Sequence, residues 1–332
     1  MSHPDPGKLL ASLSLYQLPM ALKGALDLNL FTHINAGANT PAPLAEKCQA
    51  SERGVRILCD YLTIMGFLQK SNGAYALTPE TGIFLDANSP AYLGSIANFL
   101  THPIMRANFD DVAAIVRKGG AVFHSTLAPN DEVWIEFARS MAPMMAMPAQ
   151  MMAAHITKPG QPIKVLDIAA GHGIFGLSVA KFNPAAHITG QDWANVLEVA
   201  KENAQKMGLA DRYTTIPGSA FEVDFGTGYD IVLLPNFLHH FDEPTNIGLL
   251  KKVRAALKPG GKVATVEFVP NDDRISPPMP GTFSFMMLGG TDHGDAYTFK
   301  QFDAMFKAAG FGESEQKSLH PTPASLIVTQ YV

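Results

Sequence analysis

The spacing of apolar positions divides the chain into two parts. From residue 7 to about 155, apolar residues recur at helical spacing, as in LLASLSLYQLPMALKGALDLNLF and SERGVRILCDYLTIMG. FLQKSNGAYALTP interrupts this pattern with two short strand-type runs around Asn72 and Gly73, which is a hairpin signal. After Lys164, short apolar runs alternate with helical segments, which is typical of βαβ units and a parallel sheet.

The last two apolar runs predict how this sheet ends. SEQKSLHP and ASLIVTQYV are both of the strand type and have no helix between them, so we expect a parallel sheet that finishes with an antiparallel hairpin. The sequence therefore predicts three regions: a mainly helical domain over 1–100, a helical linker over 101–157 and an α/β domain over 158–332. Helix, turn, helix and hairpin in the first region is the order of a winged helix.

Winged helices often bind DNA, but the second helix of this one is unsuited to it. Arg53 and Arg56 are its cations, and most of its other positions are apolar. The formal net charge of the chain is −5, which also disfavours nucleic acid and anionic membranes as partners. The apolar excess of the first hundred residues instead predicts a homodimer interface.

Composition limits the class of protein further. The chain is 47% hydrophobic and 17% charged, which indicates a globular protein with a large core. Its start lacks the pattern of a signal peptide, and no run approaches the roughly 18 apolar residues of a membrane-spanning helix. Cys48 and Cys59 are too few and too isolated for a disulfide framework or a metal site. We therefore expect a cytoplasmic protein without a membrane partner.

A glycine-rich loop follows the first strand of the predicted sheet. Gly171, Gly173 and Gly176 fit G-x-G-x-x-G, and Asp192 lies about 20 residues further on. Taken alone, this spacing suggests an NAD-dependent dehydrogenase. Asp167 favours another ligand, because a carboxylate there would repel a pyrophosphate but attract the ammonium and sulfonium groups of S-adenosylmethionine (SAM). Asp192 would then accept hydrogen bonds from the ribose hydroxyls.

Together these motifs resemble those of class I SAM-dependent methyltransferases, specifically the small-molecule O-methyltransferases with an N-terminal dimerisation domain. The plant caffeate, acetylserotonin and bacterial antibiotic O-methyltransferases form this group. VLDIAAGHG resembles its glycine loop, GQDWANVLEVA the stretch after its second strand, GSAFEV its third-strand motif and LKPGGKVATVEFV its fifth strand. SFMMLGG and TFKQFDAMFKAAGF resemble its substrate loop and last helix. The resemblance implies a Rossmann-like domain, SAM as cofactor, S-adenosylhomocysteine as product, and a role in secondary metabolism.

The resemblance also implies the residues of the site. The expected cofactor residues are Asp167, Gly171, Gly173, Asp192, Trp193, Ser219, Ala220, Phe221 and Asn236. The expected acceptor residues, partly from the helical linker, are Phe137, Met141, Met145, Met286, Met287 and His293. Ser219 departs from the family, which usually has an aspartate there that contacts the adenine amine. No strand-end set of metal ligands is evident, so no metal is expected.

The adjacent histidines in NFLHHFDEP raise the question of which one acts in catalysis. In an extended segment, at most one of His239 and His240 can face a given pocket. The resemblance implies that His239 is a general base oriented by Glu267. His240, where the family more often has aspartate, is assigned a structural role.

The resulting hypothesis is methyl transfer to a hydroxyl of a small aromatic or apolar metabolite. Two alternatives stay open. One is methylation of carbon, sulfur or nitrogen in a small molecule, with His239 only orienting. The other is a winged-helix regulator that uses SAM as a signal.

Overall fold

The computed structural model describes residues 5–123 and 133–332. They form two compact units, one ending at Pro103 and one beginning at Ile104. The first unit contains helices α1 (Gly7–Ser14), α2 (Gln17–Asp27), α3 (Leu30–Asn35), α4 (Pro41–Cys48), α5 (Glu52–Ile64), α6 (Pro79–Phe84) and α7 (Ile96–Leu100), with strands β1 (Leu68–Ser71) and β2 (Ala74–Leu77).

The second unit follows a short helix at the boundary, α8 (Pro103–Ala107). Its further helices are α9 (Val112–Lys118), α10 (Val133–Ile156), α11 (Ile174–Phe182), α12 (Ala194–Lys206), α13 (Glu243–Ala256), α14 (Pro278–Gly290) and α15 (Phe299–Ala308), with 3-10 turns at Ala210–Arg212 and Leu238–His240. Its strands are β3 (Ile163–Ile168), β4 (Ala186–Asp192), β5 (Tyr213–Pro217), β6 (Tyr229–Leu233), β7 (Leu257–Glu267), β8 (Ser314–Ser318) and β9 (Ser325–Gln330).

The first unit has the predicted winged-helix order. β1 and β2 pair antiparallel, and the turn between them places Asn72 and Gly73 at φ 50° and 80°, as a two-residue hairpin loop requires. The Ser51 side chain caps α5 by accepting from the backbone N–H of Gly54. The inward face of α5 then carries Val55, Cys59 and Leu62, all buried.

The N-terminal helix of this unit is unusual in its exposure. α1 has no buried residue, and Leu9, Leu10 and Leu13 are each more than 60% exposed. In the described part of the chain, no single helix is long and apolar enough to cross a membrane. α1 and α2, which meet at a bend of 44°, reach that length and composition only when they are taken together.

The second unit is built on a seven-stranded sheet of order β5-β4-β3-β6-β7-β9-β8. β3 to β7 are parallel, β9 is antiparallel to β7, and β8 pairs antiparallel with β9. The predicted terminal hairpin is therefore confirmed. The strand order reverses between β3 and β6, and ligands of open α/β sheets bind at the carboxyl ends of the strands at such a point.

One segment differs from its predicted organisation. SFMMLGG, expected in a loop, lies in α14, because prolines at its start and long apolar side chains favour a helix that ends at Gly290. Residues 133–156, predicted as part of a helical linker that contributes to the acceptor pocket, form the single helix α10, which packs on α11 and α12 within the second unit. Both helices therefore belong to the body of this unit.

Candidate active site

A cavity of about 390 Å³ lies at the carboxyl ends of the central strands. The glycine loop after β3, the end of β4, the turn after β5 and the segment after β6 all contribute to it. Trp134 and Phe137 of α10 close it from the side. Seven of the nine predicted cofactor residues line this cavity: Gly171, Asp192, Trp193, Ser219, Ala220, Phe221 and Asn236.

Asp192 is tied to the glycine loop at the end of β4. Its Oδ2 accepts from the backbone N–H of Gly171 at 2.8 Å, and its Oδ1 accepts from that of Trp193 at 2.7 Å. Burial raises the pKa of this carboxyl to about 6, and the two backbone hydrogen bonds oppose the rise. Each oxygen keeps acceptor capacity, so the carboxylate can receive both hydroxyls of a ribose.

Asp167 and Gly173 do not line the cavity. Asp167 is fully buried behind the loop, where its Oδ2 accepts from the Gly176 N–H at 2.9 Å. Burial raises the pKa of Asp167 to about 8, and the neighbouring Asp192 adds to the rise. Gly173 starts α11 at φ 72°, and a Cβ there would lie 2.9 Å from that of Ala200. For both residues, the geometry supports a role in shaping the loop in place of direct contact with a ligand.

The turn after β5 forms one end of the cavity. The Gly218 N–H donates to the carbonyl of Asp192 at 3.0 Å, and Gln191 donates to the carbonyl of Gly218 at 2.5 Å. Phe221 lines the cavity although it is 42% exposed, and its ring meets that of Phe241 edge-to-face at 5.0 Å. The turn therefore presents an aromatic face to a flat ligand group, at a fixed distance from Asp192.

Two buried polar atoms at the cavity have no hydrogen-bond partner among the described residues. They are Oδ1 of Asn236 and Nδ1 of His240. Leaving such a group unpaired costs roughly 1–3 kcal/mol, so both atoms point to a polar ligand. Burial and the adjacent His239 hold the pKa of His240 well below its usual value, so its ring is neutral. Two unpaired polar atoms, a carboxylate and aromatic faces fit the ribose, base and amino-acid parts of SAM.

His239 makes a buried pair with Glu267, the last residue of β7. Its Nδ1 lies 2.6 Å from Oε2 of Glu267, and the two residues are 5% and 1% exposed. The other oxygen, Oε1, accepts from the backbone N–H groups of Phe237 and Leu238 at 3.1 Å each. Because Glu267 offers only acceptors, Nδ1 must donate, which leaves the lone pair on Nε2. The pair can therefore take a proton at Nε2.

The two adjacent histidines have different surroundings. His239 contacts Glu267 and meets the ring of Phe283 edge-to-face at 4.8 Å. His240, assigned a structural role from the sequence, lines the cavity and meets the ring of Trp134 edge-to-face at 5.5 Å. The rings of the two histidines are 4.3 Å apart. His239 is therefore the histidine whose contacts allow it to accept a proton, and His240 forms part of the wall of the cavity.

The predicted acceptor residues are spread over three places. Phe137 lines the cavity at the strand ends, while Met141 and Met145 are buried along α10, and Met145 accepts from the Asn236 side chain at 3.4 Å. In α14, Met287 is buried and Met286 is partly buried. His293 is exposed and lines a second cavity of about 680 Å³. The described structure does not bring all six residues into one pocket.

Several residues that line the cavity at the strand ends were not predicted from the sequence. They are Trp134, His172, Phe175, Gln191, Val196, Glu222, Phe237, His240 and Phe241 among others. Gln191 and His172 lie next to predicted positions, so their location was a readable signal. Trp134 depends on how α10 packs against the strand ends, which local spacing does not reveal.

Comparison with known proteins identifies the family. A family model described as the O-methyltransferase domain matches residues 113–312, and one described as the O-methyltransferase dimerisation domain matches residues 10–87. The chain belongs to the O-methyltransferase family. This O-methyltransferase family protein is a SAM-dependent enzyme, and the family acts on small molecules.

Individual relatives of this O-methyltransferase family protein cover most of its chain. The 3-hydroxy-5-methyl-1-naphthoate 3-O-methyltransferase of Streptomyces sahachiroi is 24% identical over 88% of this chain and 85% of its own. The L-tyrosine C(3)-methyltransferase of Streptomyces lavendulae is 24% identical over 92% and 88%.

Solved structures of other proteins have the same fold over nearly the whole length of this chain. A protein of Nostoc punctiforme, provisionally described as an O-methyltransferase, is 50% identical with a TM-score of 0.96 and covers 99% of this chain and 100% of its own. Human N-acetylserotonin methyltransferase in complex with SAM is 20% identical with a TM-score of 0.84 and covers 99% of each chain.

Proposed function

We propose that the protein methylates a hydroxyl group of a small aromatic or otherwise apolar acceptor, with His239 as the general base. The observation that carries this proposal is the buried pair of His239 and Glu267, in which Nδ1 is held as a donor and Nε2 is left as an acceptor. When bound, SAM supplies an electrophilic methyl group on a sulfonium. His239 then has one task, which is to remove the acceptor proton.

The ordinary acidities explain why this proton must leave as the methyl group arrives. A phenol has a pKa near ~10 and histidine near ~6.5, so a neutral imidazole takes the proton only in concert with the displacement. Such a base contributes about 10²–10⁴ in rate. Glu267 stabilises the resulting imidazolium, because its carboxylate is buried against Nδ1. Phe283 excludes water from one side of the ring.

The acceptor class is tested with labelled SAM and a library of small phenols, apolar alcohols and their O-blocked analogues. We expect label in the hydroxyl compounds and none in compounds whose hydroxyl is blocked. Transfer to the blocked analogues would contradict O-methylation.

The second candidate is methylation of carbon, sulfur or nitrogen, with His239 only orienting the acceptor. It is favoured by the similarity to the L-tyrosine C(3)-methyltransferase noted above. The position of the methyl group in the product, determined by NMR, decides between the two. A His239→Gln variant separates them further, because loss of an orienting contact raises KM whereas loss of a base lowers kcat.

We also propose a homodimer formed through the first unit. Leu9 and Leu13 of α1, Tyr16 just before α2 and Met20 of α2 follow one another at intervals of three or four residues and are 40–73% exposed. Monomers rarely leave such a stripe uncovered. A second copy of the chain would cover it, in keeping with the dimerisation domain matched here. Light scattering at micromolar concentration should give twice the chain mass. Leu9→Lys with Leu13→Lys should give a monomer, whereas the exposed control Lys8→Glu should not.

A further inference from the structure

The topology fixes which end of the cavity at the strand ends receives the adenine of the cofactor. Asp192 ends β4, which lies between β3 and β5 in the sheet, and His239 follows β6 on the other side of β3. With the ribose at Asp192, the sulfonium must extend toward β6 to reach the base. The adenine must therefore lie on the β5 side, against residues 218–222.

This end of the cavity lacks the acid usual in the family. The 6-amino group of adenine is a donor that a carboxylate accepts well, but Ser219 stands at the position where the family usually has aspartate. Ser219 is neutral and short, and its Oγ already accepts from the backbone N–H of Phe221 at 3.3 Å. Among the described residues that line the cavity, the carboxylates are Asp192 and Glu222.

Glu222 is held by a single turn of chain that is anchored at both ends. The carbonyl of Ser219 accepts from the N–H groups of Glu222 and Val223 at 3.0 Å each. Lys252 donates to the carbonyl of Ala220 at 2.9 Å. At Gly218, φ is 128° and an added Cβ would lie 2.6 Å from Val223, so a glycine is required for the turn to close. Glu222 thus follows Phe221 on a fixed backbone, with an exposed side chain at the open edge of the cavity.

We propose that Glu222 recognises the 6-amino group of adenine, replacing the aspartate that the family has at position 219. Glu222 is then a specificity-determining residue for the cofactor. The proposal rests on the proposed function, because the position of His239 sets the direction of the bound cofactor, but it does not depend on which acceptor is methylated. It predicts that the enzyme distinguishes adenine from a base that carries a carbonyl oxygen in place of the amine, because that oxygen would face a carboxylate and two acceptors repel.

Calorimetry with S-adenosylhomocysteine and S-inosylhomocysteine tests this on the full-length protein. The wild type should bind the adenosyl compound about 10- to 100-fold more tightly, the range for a hydrogen bond to a charged group. In Glu222→Gln the ratio should fall to about threefold or less, because an amide both accepts from an amine and donates to a carbonyl. Ser219→Asp in the Glu222→Gln background should restore the preference.

Asp224→Asn is the matched control, since Asp224 lies two residues further on, is exposed and does not line the cavity. Asp224→Asn should keep the wild-type ratio of the two ligand affinities. Glu222→Gln and Asp224→Asn should each have a melting temperature within about 1 °C of the wild type, as is usual for surface substitutions. Equal binding of the two ligands by the wild type would overturn the proposal. So would an unchanged ratio in Glu222→Gln, or collapse of the ratio in Ser219→Ala, which would assign the amine to Ser219.

Discussion

Replacing Glu267 by glutamine tests whether the tautomer of His239 controls the reaction. The amide oxygen can still accept from the N–H groups of Phe237 and Leu238, which hold Oε1 at 3.1 Å. The amide NH₂ then faces Nδ1 of His239, which lies 2.6 Å from Oε2. Nδ1 must become an acceptor, so the ring proton moves to Nε2 and the proton-accepting atom is lost. The shape of the site changes by less than one methyl group.

We expect kcat of Glu267→Gln to fall by about 10²–10⁴, the usual contribution of a general base. The asparagine variant of the serine-protease triad loses about 10⁴ for the same tautomeric reason. The affinity for S-adenosylhomocysteine should change less than about twofold, because Glu267 does not line the cavity at the strand ends. Initial rates and calorimetry at the same pH measure the two quantities. With a phenolic acceptor, the deficit should shrink as the pH approaches ~10 and the phenolate forms.

A Glu267→Gln variant that keeps more than a third of the wild-type kcat would show that the tautomer of His239 does not control the reaction. Loss of cofactor binding would also contradict the prediction, since the pair would then belong to the cofactor site. Glu267→Ala is less informative, because it leaves two buried N–H groups unpaired at roughly 1–3 kcal/mol each. Asp272→Asn is the control, an exposed carboxylate in the loop that follows β7.

Three further predictions concern other parts of the site. Because the pKa of Asp192 is raised to about 6 in the free protein and its carboxylate form accepts the ribose hydroxyls, the affinity for S-adenosylhomocysteine measured by calorimetry should be full above that pH and fall up to about tenfold per unit below it. Gly294→Ala places a Cβ 2.3 Å from the carbonyl of His239, so the backbone of His239 must shift. We expect kcat to fall while the affinity for the cofactor is unchanged, and an unchanged kcat would contradict this prediction. Ala169 adopts φ 52°, so Ala169→Gly should raise the free energy of unfolding by about 0.5–1 kcal/mol in urea titration, whereas Ala170→Gly should lower it.

The sequence was sufficient to predict the order of elements and many of the residues that line the cavity at the strand ends. Strand-type runs, the glycine loop and Asp192 are local signals, since a turn that places Gly171 beside the end of β4 needs a particular residue at a particular spacing. The same spacing did not show which glycines lie next to a ligand and which allow close packing of the protein itself. Gly173 and Gly176 fit the fingerprint, yet added Cβ atoms there would meet Ala200 and Ile188, so these glycines bring α11 close to its neighbours.

The acceptor region was harder to predict because it depends on how helices pack. Met286 and Met287 are adjacent in the sequence, but successive positions of a helix point in different directions, and only Met287 is buried. His293 was placed with them by its distance along the chain. The loop after α14 instead turns back through Thr291 and Gly294 to meet the backbone of His239. Tertiary contacts of this kind cannot be predicted from the periodicity of the sequence.

The proposed base and most of the proposed cofactor residues lie on opposite sides of the point where the strand order reverses. β3, β4 and β5 end in groups that line the cavity at the strand ends, whereas β7 supplies Glu267 to His239 in the segment after β6, part of which also lines that cavity. Because the two sets lie on different strands, a change at Ser219 need not disturb the pair of His239 and Glu267. That separation makes the variants above interpretable: the main effect of Glu222→Gln should be on which nucleoside binds, and the main effect of Glu267→Gln should be on kcat. A variant that moved both quantities together would show that the two sides are coupled through His240, the residue that touches both the cavity and His239.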